Sequence, residues 1–116
     1  MEARIPEPLT PAVFHILLAL ADQERLGYGI MQDVLERTNN QIRLGPGTLY
    51  GTIKRMLESG QIEELPERED ENKQRRLYYK LTSAGRKTVK AEAERLEHLV
   101  NIARSKRLLP QLKGVR

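Results

Sequence analysis

The chain has 116 residues, a formal net charge of +4, 39% hydrophobic and 31% charged residues. That is enough for one soluble domain and too little for two separate cores, and four Tyr, one Phe and no Trp leave the core aliphatic. Without cysteine there is no disulfide framework, no Cys-based zinc site and no thiol chemistry.

Residues 1–8 contain Pro6 and Pro8 and read as an extended arm. Thr10-Pro11 then opens a first helix running to about Ala21, with Thr10 as its cap and Pro11 where a missing N–H costs nothing. Val13, Phe14, Ile16, Leu17, Leu18 and Leu20 cover nearly its whole circumference, so it must be buried on more than one side. A domain this small can hardly enclose a helix alone. One face is expected in the core and the other, with Phe14 and Leu18, against a second subunit. His15 in this helix reads as a packed or half-exposed histidine, not a ligand.

Asp22 to Arg25 reads as a polar connection, and about Tyr28 to Arg37 as a second helix with Ile30, Met31, Val34 and Leu35 on one side. Thr38-Asn39-Asn40-Gln41 breaks it with turn-forming residues. The next helix starts at Pro46 and stops at Gly60. Leu49, Ile53, Met56 and Leu57 draw one apolar stripe along it. Its other face carries Gly47, Gly51, Lys54 and Arg55, with Thr48 and Tyr50 on the shoulders and Arg43 just ahead of it. Small residues, hydroxyls and cations on one face allow close approach to a polyanion such as a DNA major groove.

Beyond Gly60 the hydrophobic period changes from 3.6 to 2. Gln61 to Leu65 reads as a short strand, residues 66–74 as a charged loop, and Arg75 to Leu81 as a second strand with Leu77, Tyr79 and Leu81 on one face. A helix-turn-helix followed by a hairpin is a winged helix, here over residues 1–81 with the wing tip near Asp70 and Glu71. Thr82 caps a last helix over residues 83–106, about 36 Å long at 1.5 Å per residue. Val89, Ala93, Leu96, Val100 and Ala103 follow the alternating spacing of a coiled-coil seam, which Leu99 and Ile102 widen. This helix is longer than the domain needs, so residues 82–116 are expected to form a dimerisation helix and tail, in one structural unit with the rest. The fold class is mainly α with a small β-hairpin.

Charge is segregated along the chain. Residues 1–60 hold six Lys/Arg against seven Asp/Glu, and residues 61–116 hold fourteen against nine. After the acidic cluster Glu63 to Glu71, the cations Lys73, Arg75, Arg76, Lys80, Arg86, Lys87 and Lys90 follow without an acid. Such a block points to a polyanionic partner.

Several words of this sequence, in order, resemble those of the PadR family of bacterial transcriptional regulators, in its short-tailed form with a single C-terminal helix. They are Gly27-Tyr28-Gly29-Ile30, Leu44-Gly45-Pro46-Gly47-Thr48-Leu49-Tyr50, Lys54-Arg55-Met56-Leu57, Gly60, and Tyr78-Tyr79-Lys80-Leu81-Thr82 with Ala84-Gly85-Arg86. The resemblance implies a homodimeric winged-helix repressor acting on double-stranded DNA. By position, Thr48 and Tyr50 would make phosphate and groove contacts, with Lys54 and Arg55 beside them. It also implies a small hydrophobic effector, to which the composition adds nothing, since Trp, the best stacking residue for a flat ligand, is absent. Where members often carry Gly-Gly-Arg-Arg, this chain has Asn72-Lys73-Gln74-Arg75-Arg76 and an acidic tip. Phosphate contact is therefore expected at the wing base, through Lys73, Arg75 and Arg76.

An enzyme is not expected. Only His15 and His98 are available as imidazoles, no His-Glu pair has metal spacing, and Gly45-Pro46-Gly47 lacks the spacing and the Lys-Ser/Thr of a phosphate loop. No cofactor or metal is called for. The rival reading is a winged helix used for protein–protein contact, which would need large apolar residues where Lys54 and Arg55 stand. No apolar run approaches the roughly 20 residues of a bilayer span, and Met1 to Pro6 lacks the regions of a signal peptide, so a cytoplasmic protein without membrane contact is expected.

Overall fold

The computed structural model describes residues 8–111, so most of the expected N-terminal arm and the tail from Leu112 onward lie outside the described residues. Four helices and five short strands follow in the order α1 (Pro11–Ala19), β1 (Arg25–Leu26), α2 (Gly27–Arg37), α3 (Pro46–Glu58), β2 (Ile62–Glu64), β3 (Arg68–Glu69), β4 (Arg75–Arg76), β5 (Tyr78–Leu81) and α4 (Ser83–Ser105). The result is a winged helix-turn-helix with a long C-terminal helix.

The helix boundaries have local causes. The Thr10 side chain accepts from the Val13 N–H and the Thr82 side chain from the Gly85 N–H, each satisfying a donor that the first turn leaves free. Three helices end the same way, with the chain turning left-handed at Asn39 (φ 52°), Gly60 (φ 77°) and Arg107 (φ 63°). The following amide then reaches back over the last turn, from Asn40 N to Leu35 O (2.8 Å), Gln61 N to Met56 O (2.9 Å) and Leu108 N to Ala103 O (2.9 Å). The left-handed turn at Arg107 thus stops α4, close to the expected end at residue 106.

α1 packs on α2, α3 and α4, which explains its all-round apolar surface. Ile16, Leu17, Ala19 and Leu20 are buried at its centre, while Phe14 and Leu18 stay partly exposed. Ile30 and Val34 of α2 and Leu49, Ile53 and Met56 of α3 complete the helical core, each side chain contributing about 2 kcal/mol of transfer free energy. Leu57 is only half-buried, and Thr52 takes its place, 1% exposed, accepting a hydrogen bond from Arg55 Nη2 at 3.2 Å.

Three corrections concern the strands. Arg25 and Leu26, read as the end of a polar connection and the approach to a helix, form a strand against β5, with Arg25 opposite Tyr79 and Leu26 opposite Tyr78. The sheet order is β1-β5-β2, all antiparallel. Residues 66–74 are not simply a loop, since β3 pairs with β4 in a separate two-stranded wing. The expected strand over residues 75–81 breaks at Leu77, which is 40% exposed, whereas Tyr79 and Leu81 are buried as their alternation requires.

Long-range polar links hold the elements together. Arg25 Nε donates to Ala19 O (2.6 Å), and its guanidinium pairs with Asp22 (3.4 Å) and Asp33 (3.3 Å). Asp33 also pairs with Arg37 (2.7 Å), whose Nη2 reaches His15 O (3.1 Å). The buried Glu92 accepts two bonds from Arg95 (2.8 and 2.7 Å) and one from the Leu9 amide (3.3 Å), tying the approach to α1 onto α4. The Arg95 hydrogen bonds hold the Glu92 carboxyl below its usual range despite burial. His15 is half-buried, its imidazole pushed down by burial and then by Arg37. No helix is long and apolar enough to cross a membrane among the described residues.

Candidate nucleic-acid interface

The outer face of α3 follows from its inner one. With Leu49, Thr52, Ile53 and Met56 turned into the core, Gly47, Gly51 and Lys54 necessarily face outward, with Arg55 and Thr48 on one shoulder and Tyr50 on the other. A Cβ at Gly47 would meet nothing within 4 Å, and one at Gly51 only Arg55 Nη1 at 3.8 Å. These glycines are therefore not required by packing, and what they leave is an open approach to the helix backbone. Among the described residues Arg43, Lys54 and Arg55 have no acidic partner, so their charge is free for an outside anion. Glu58 shares this face, one turn beyond Lys54, and marks its end.

Tyr50 has a second role. It is 50% exposed, but a Cβ on the buried Gly27 would collide with its ring, so the phenol lies across the start of α2. There it borders a cleft of about 300 Å³ with Tyr28, Glu67, Arg75, Arg76, Leu77 and Tyr79. Burial pushes the Tyr79 phenol up, with Glu64 and Tyr50 adding to it. Tyr28, 59% exposed, is a lining residue with no signal in hydrophobic periodicity, because an exposed aromatic at a helix start looks like any surface position.

The wing arginines reach the same cleft, yet they are not free. Arg75 Nε donates to Glu67 Oε1 at 2.8 Å, and Arg76 pairs with Asp70 at 3.3 Å while its Nη2 donates to Gln74 Oε1 at 2.6 Å. The acidic tip is also less repellent than its composition implies. Asp70 is turned inward, accepting from the amides of Asn72 (2.8 Å) and Gln74 (2.9 Å), and those bonds, then Arg76, hold its carboxyl below the usual range. Glu69, Glu71 and Lys73 are the exposed charges there, so Lys73, expected at the wing base, lies instead in the tip turn that the Asp70–Gln74 hydrogen bonds close. Arg68 is committed to the fold, paired with Glu24 at 2.6 Å and stacked 3.8 Å over the Tyr78 ring.

The seam residues of α4 divide. Val89 is 6% exposed within its own chain, so it serves the core rather than an open seam. Ala93, Leu99 (47%), Val100 (38%) and Ile102 (38%) are exposed, and Leu96 and Ala103 are half-buried.

A helix-turn-helix carrying a two-stranded wing and a long terminal helix defines the winged helix-turn-helix class. The chain belongs to the transcriptional regulator PadR-like family, whose family model matches residues 16–91. That family is one of transcriptional regulators. A protein of Lysinibacillus sphaericus named only uncharacterized protein X is 34% identical over 71 residues, 61% of this chain. The match spans 64% of that relative's length, less than two thirds. A transcriptional regulator of Clostridium thermocellum shares the fold at a TM-score of 0.66 and 26% identity, over 81% of this chain and 87% of its own. Bacillus subtilis PadR, solved in complex with operator DNA, superposes with a TM-score of 0.61 at 20% identity, over 94% of this chain and 54% of that longer one.

Proposed function

We propose that this chain is a homodimeric repressor that places α3 in the major groove of an inverted-repeat operator and lays its wing along the adjacent phosphates. The observation that carries the reading is the outer face of α3, where Gly47 and Gly51 leave the backbone open beside Lys54 and Arg55, cations with no acidic partner among the described residues. The α3 N-terminus, begun by Pro46, adds free N–H groups and a partial positive charge that suit a phosphate. Thr48 and Tyr50 supply hydroxyls at the groove wall. Lys54 and Arg55 lie further along and can reach base edges, where a good bidentate contact contributes roughly 1–3 kcal/mol of discrimination.

Mobility shifts with duplex DNA across a salt series test this. The unmodified chain should bind the region upstream of its own gene with an affinity that falls steeply as salt rises. Replacing both Arg75 and Arg76 with Ala should weaken binding to that duplex and to an unrelated one alike, and make the salt slope shallower by about one to two units. An unchanged slope would put the wing away from DNA.

The exposed apolar residues of α4 support the homodimer. Leu99→Glu combined with Val100→Glu alters no core contact of the chain, so the double variant should fold as a monomer in sedimentation. Two α3 helices about 10 base pairs apart would then no longer be presented together, and operator affinity should fall with dimerisation. A dimeric double variant would move the interface elsewhere.

A further inference from the structure

We infer that Glu67 acts as an internal stand-in for DNA phosphate, occupying Arg75 in the free protein and thereby limiting how tightly the wing holds any duplex; this rests on the DNA-binding reading above. The geometry is specific. Glu67 Oε1 accepts from Arg75 Nε at 2.8 Å and the Glu67 carbonyl accepts from Nη2 at 3.4 Å, so one residue meets two donor positions of the guanidinium. A phosphate oxygen pair would present acceptors to the same fork. Both side chains remain open to solvent, Arg75 at 63% and Glu67 at 49%, and both border the cleft shared with Tyr28 and Tyr50. Arg75 therefore borders the same cleft as Tyr50 of α3, beside the outer face that the reading above gives to a duplex, and so does the carboxylate that now holds it.

Exposed ion pairs are weak, so exchange of Glu67 for phosphate is easy and the wing still binds. The exchange nevertheless leaves a consequence. Each phosphate neutralised by Arg75 releases a counterion from DNA, while the Glu67 carboxylate freed in the same step attracts a cation back from solution. The net release is smaller than a free arginine would give. Asp70 does not offer as clean a case at Arg76, because its carboxylate also builds the wing turn through the Asn72 and Gln74 amides.

Glu67→Gln is the test, read by mobility shift on the operator and on an unrelated duplex over a salt series. It should tighten binding to both, by a factor of roughly two to five per protomer, the range of a surface ion pair. The salt slope should steepen by roughly half a unit to one per protomer. In an Arg75→Ala background the same substitution should have little effect, since the masked group is gone. Glu63→Gln, which removes an equal charge from a pair with Lys80 elsewhere on the sheet, should not reproduce the gain. Weaker binding by Glu67→Gln would show that Glu67 positions Arg75 instead of masking it, and equal gains in the presence and absence of Arg75 would reduce the effect to net charge. Either result overturns the inference while leaving DNA binding standing. An unmodified chain that binds no duplex at low salt would overturn both.

Discussion

A Gly51→Glu protein is expected to fold and dimerise like the unmodified chain and yet bind its operator about 100-fold more weakly. Folding is expected to survive because a Cβ at Gly51 meets only the flexible end of Arg55, at 3.8 Å, and the position lies opposite Leu49, Ile53 and Met56. In a helix interior the loss of glycine even favours folding, by up to about 1 kcal/mol. Binding is another matter. The new side chain fills the gap through which the α3 backbone would approach the groove, and its carboxylate faces a polyanion at short range beside Lys54. Removing one good base-edge interaction from each of two half-sites costs about 2–6 kcal/mol, and 100-fold corresponds to about 2.7 kcal/mol. Titration of labelled operator alongside circular dichroism checks both halves of the expectation. Near-original affinity in a folded dimer would remove α3 as the reading helix.

Gly85→Ala is expected to destabilise the fold by about 3 kcal/mol, the upper range for inserting atoms into a packed site. The first turn of α4 lies against the exit of α3, and a Cβ at Gly85 would overlap the Gln61 carbonyl oxygen and sit 3.2 Å from Leu81 Cδ2. Backbone is the obstacle, so no side chain can rotate away. That carbonyl already accepts from the Thr82 amide (3.1 Å), and any shift that accommodates the methyl strains that bond as well. Gly47→Ala provides the contrast, since open space surrounds that position and the same change should be neutral or mildly stabilising. Urea unfolding of the two variants against the parent, at matched protein concentration, decides it. Similar midpoints for both would mean that α4 shifts freely on the domain.

The helices were legible because their signals are local. Thr10-Pro11, Pro46, Gly60 and Thr82 mark ends through their own backbone chemistry, and the stripe through Leu49, Ile53 and Met56 survives any tertiary context. The wing was legible only in outline. Two-residue strands have no periodicity to read, and β1 exists because β5 lies beside Arg25 and Leu26, not because those residues favour extension. Leu77 fits an alternating pattern but falls where the chain passes from the wing to the main sheet, so alternation misplaces it. The candidate interface shows the same division. The outer face of α3 is fixed once the inner face is known, whereas the pairing of Arg75 with Glu67 spans eight residues and depends on the turn between them. Composition displays the charges and hides their partners. Glu92 is the sharpest case, one of three acids on α4, which proves buried because Arg95 and the Leu9 amide satisfy it.

The Thr82 junction has a mechanical consequence. Its hydroxyl donates its one proton to the Gly60 carbonyl (2.6 Å) and its amide donates to Gln61 O (3.1 Å), while its side-chain oxygen also caps α4 through Gly85 N (3.0 Å). The end of α3 and the start of α4 are thus pinned to one another without an intervening linker. In a dimer built on α4, the protein behaves as a caliper whose jaws are the two α3 helices and whose pivot is the contact between the α4 helices. The gap between the jaws is then set where the long helices cross, far from any base pair. Inserting two or three base pairs between half-sites should find no hinge at the jaws to absorb the change, and a descendant that reads a wider operator would have to alter Leu99, Val100 or Ile102 rather than Lys54 or Arg55.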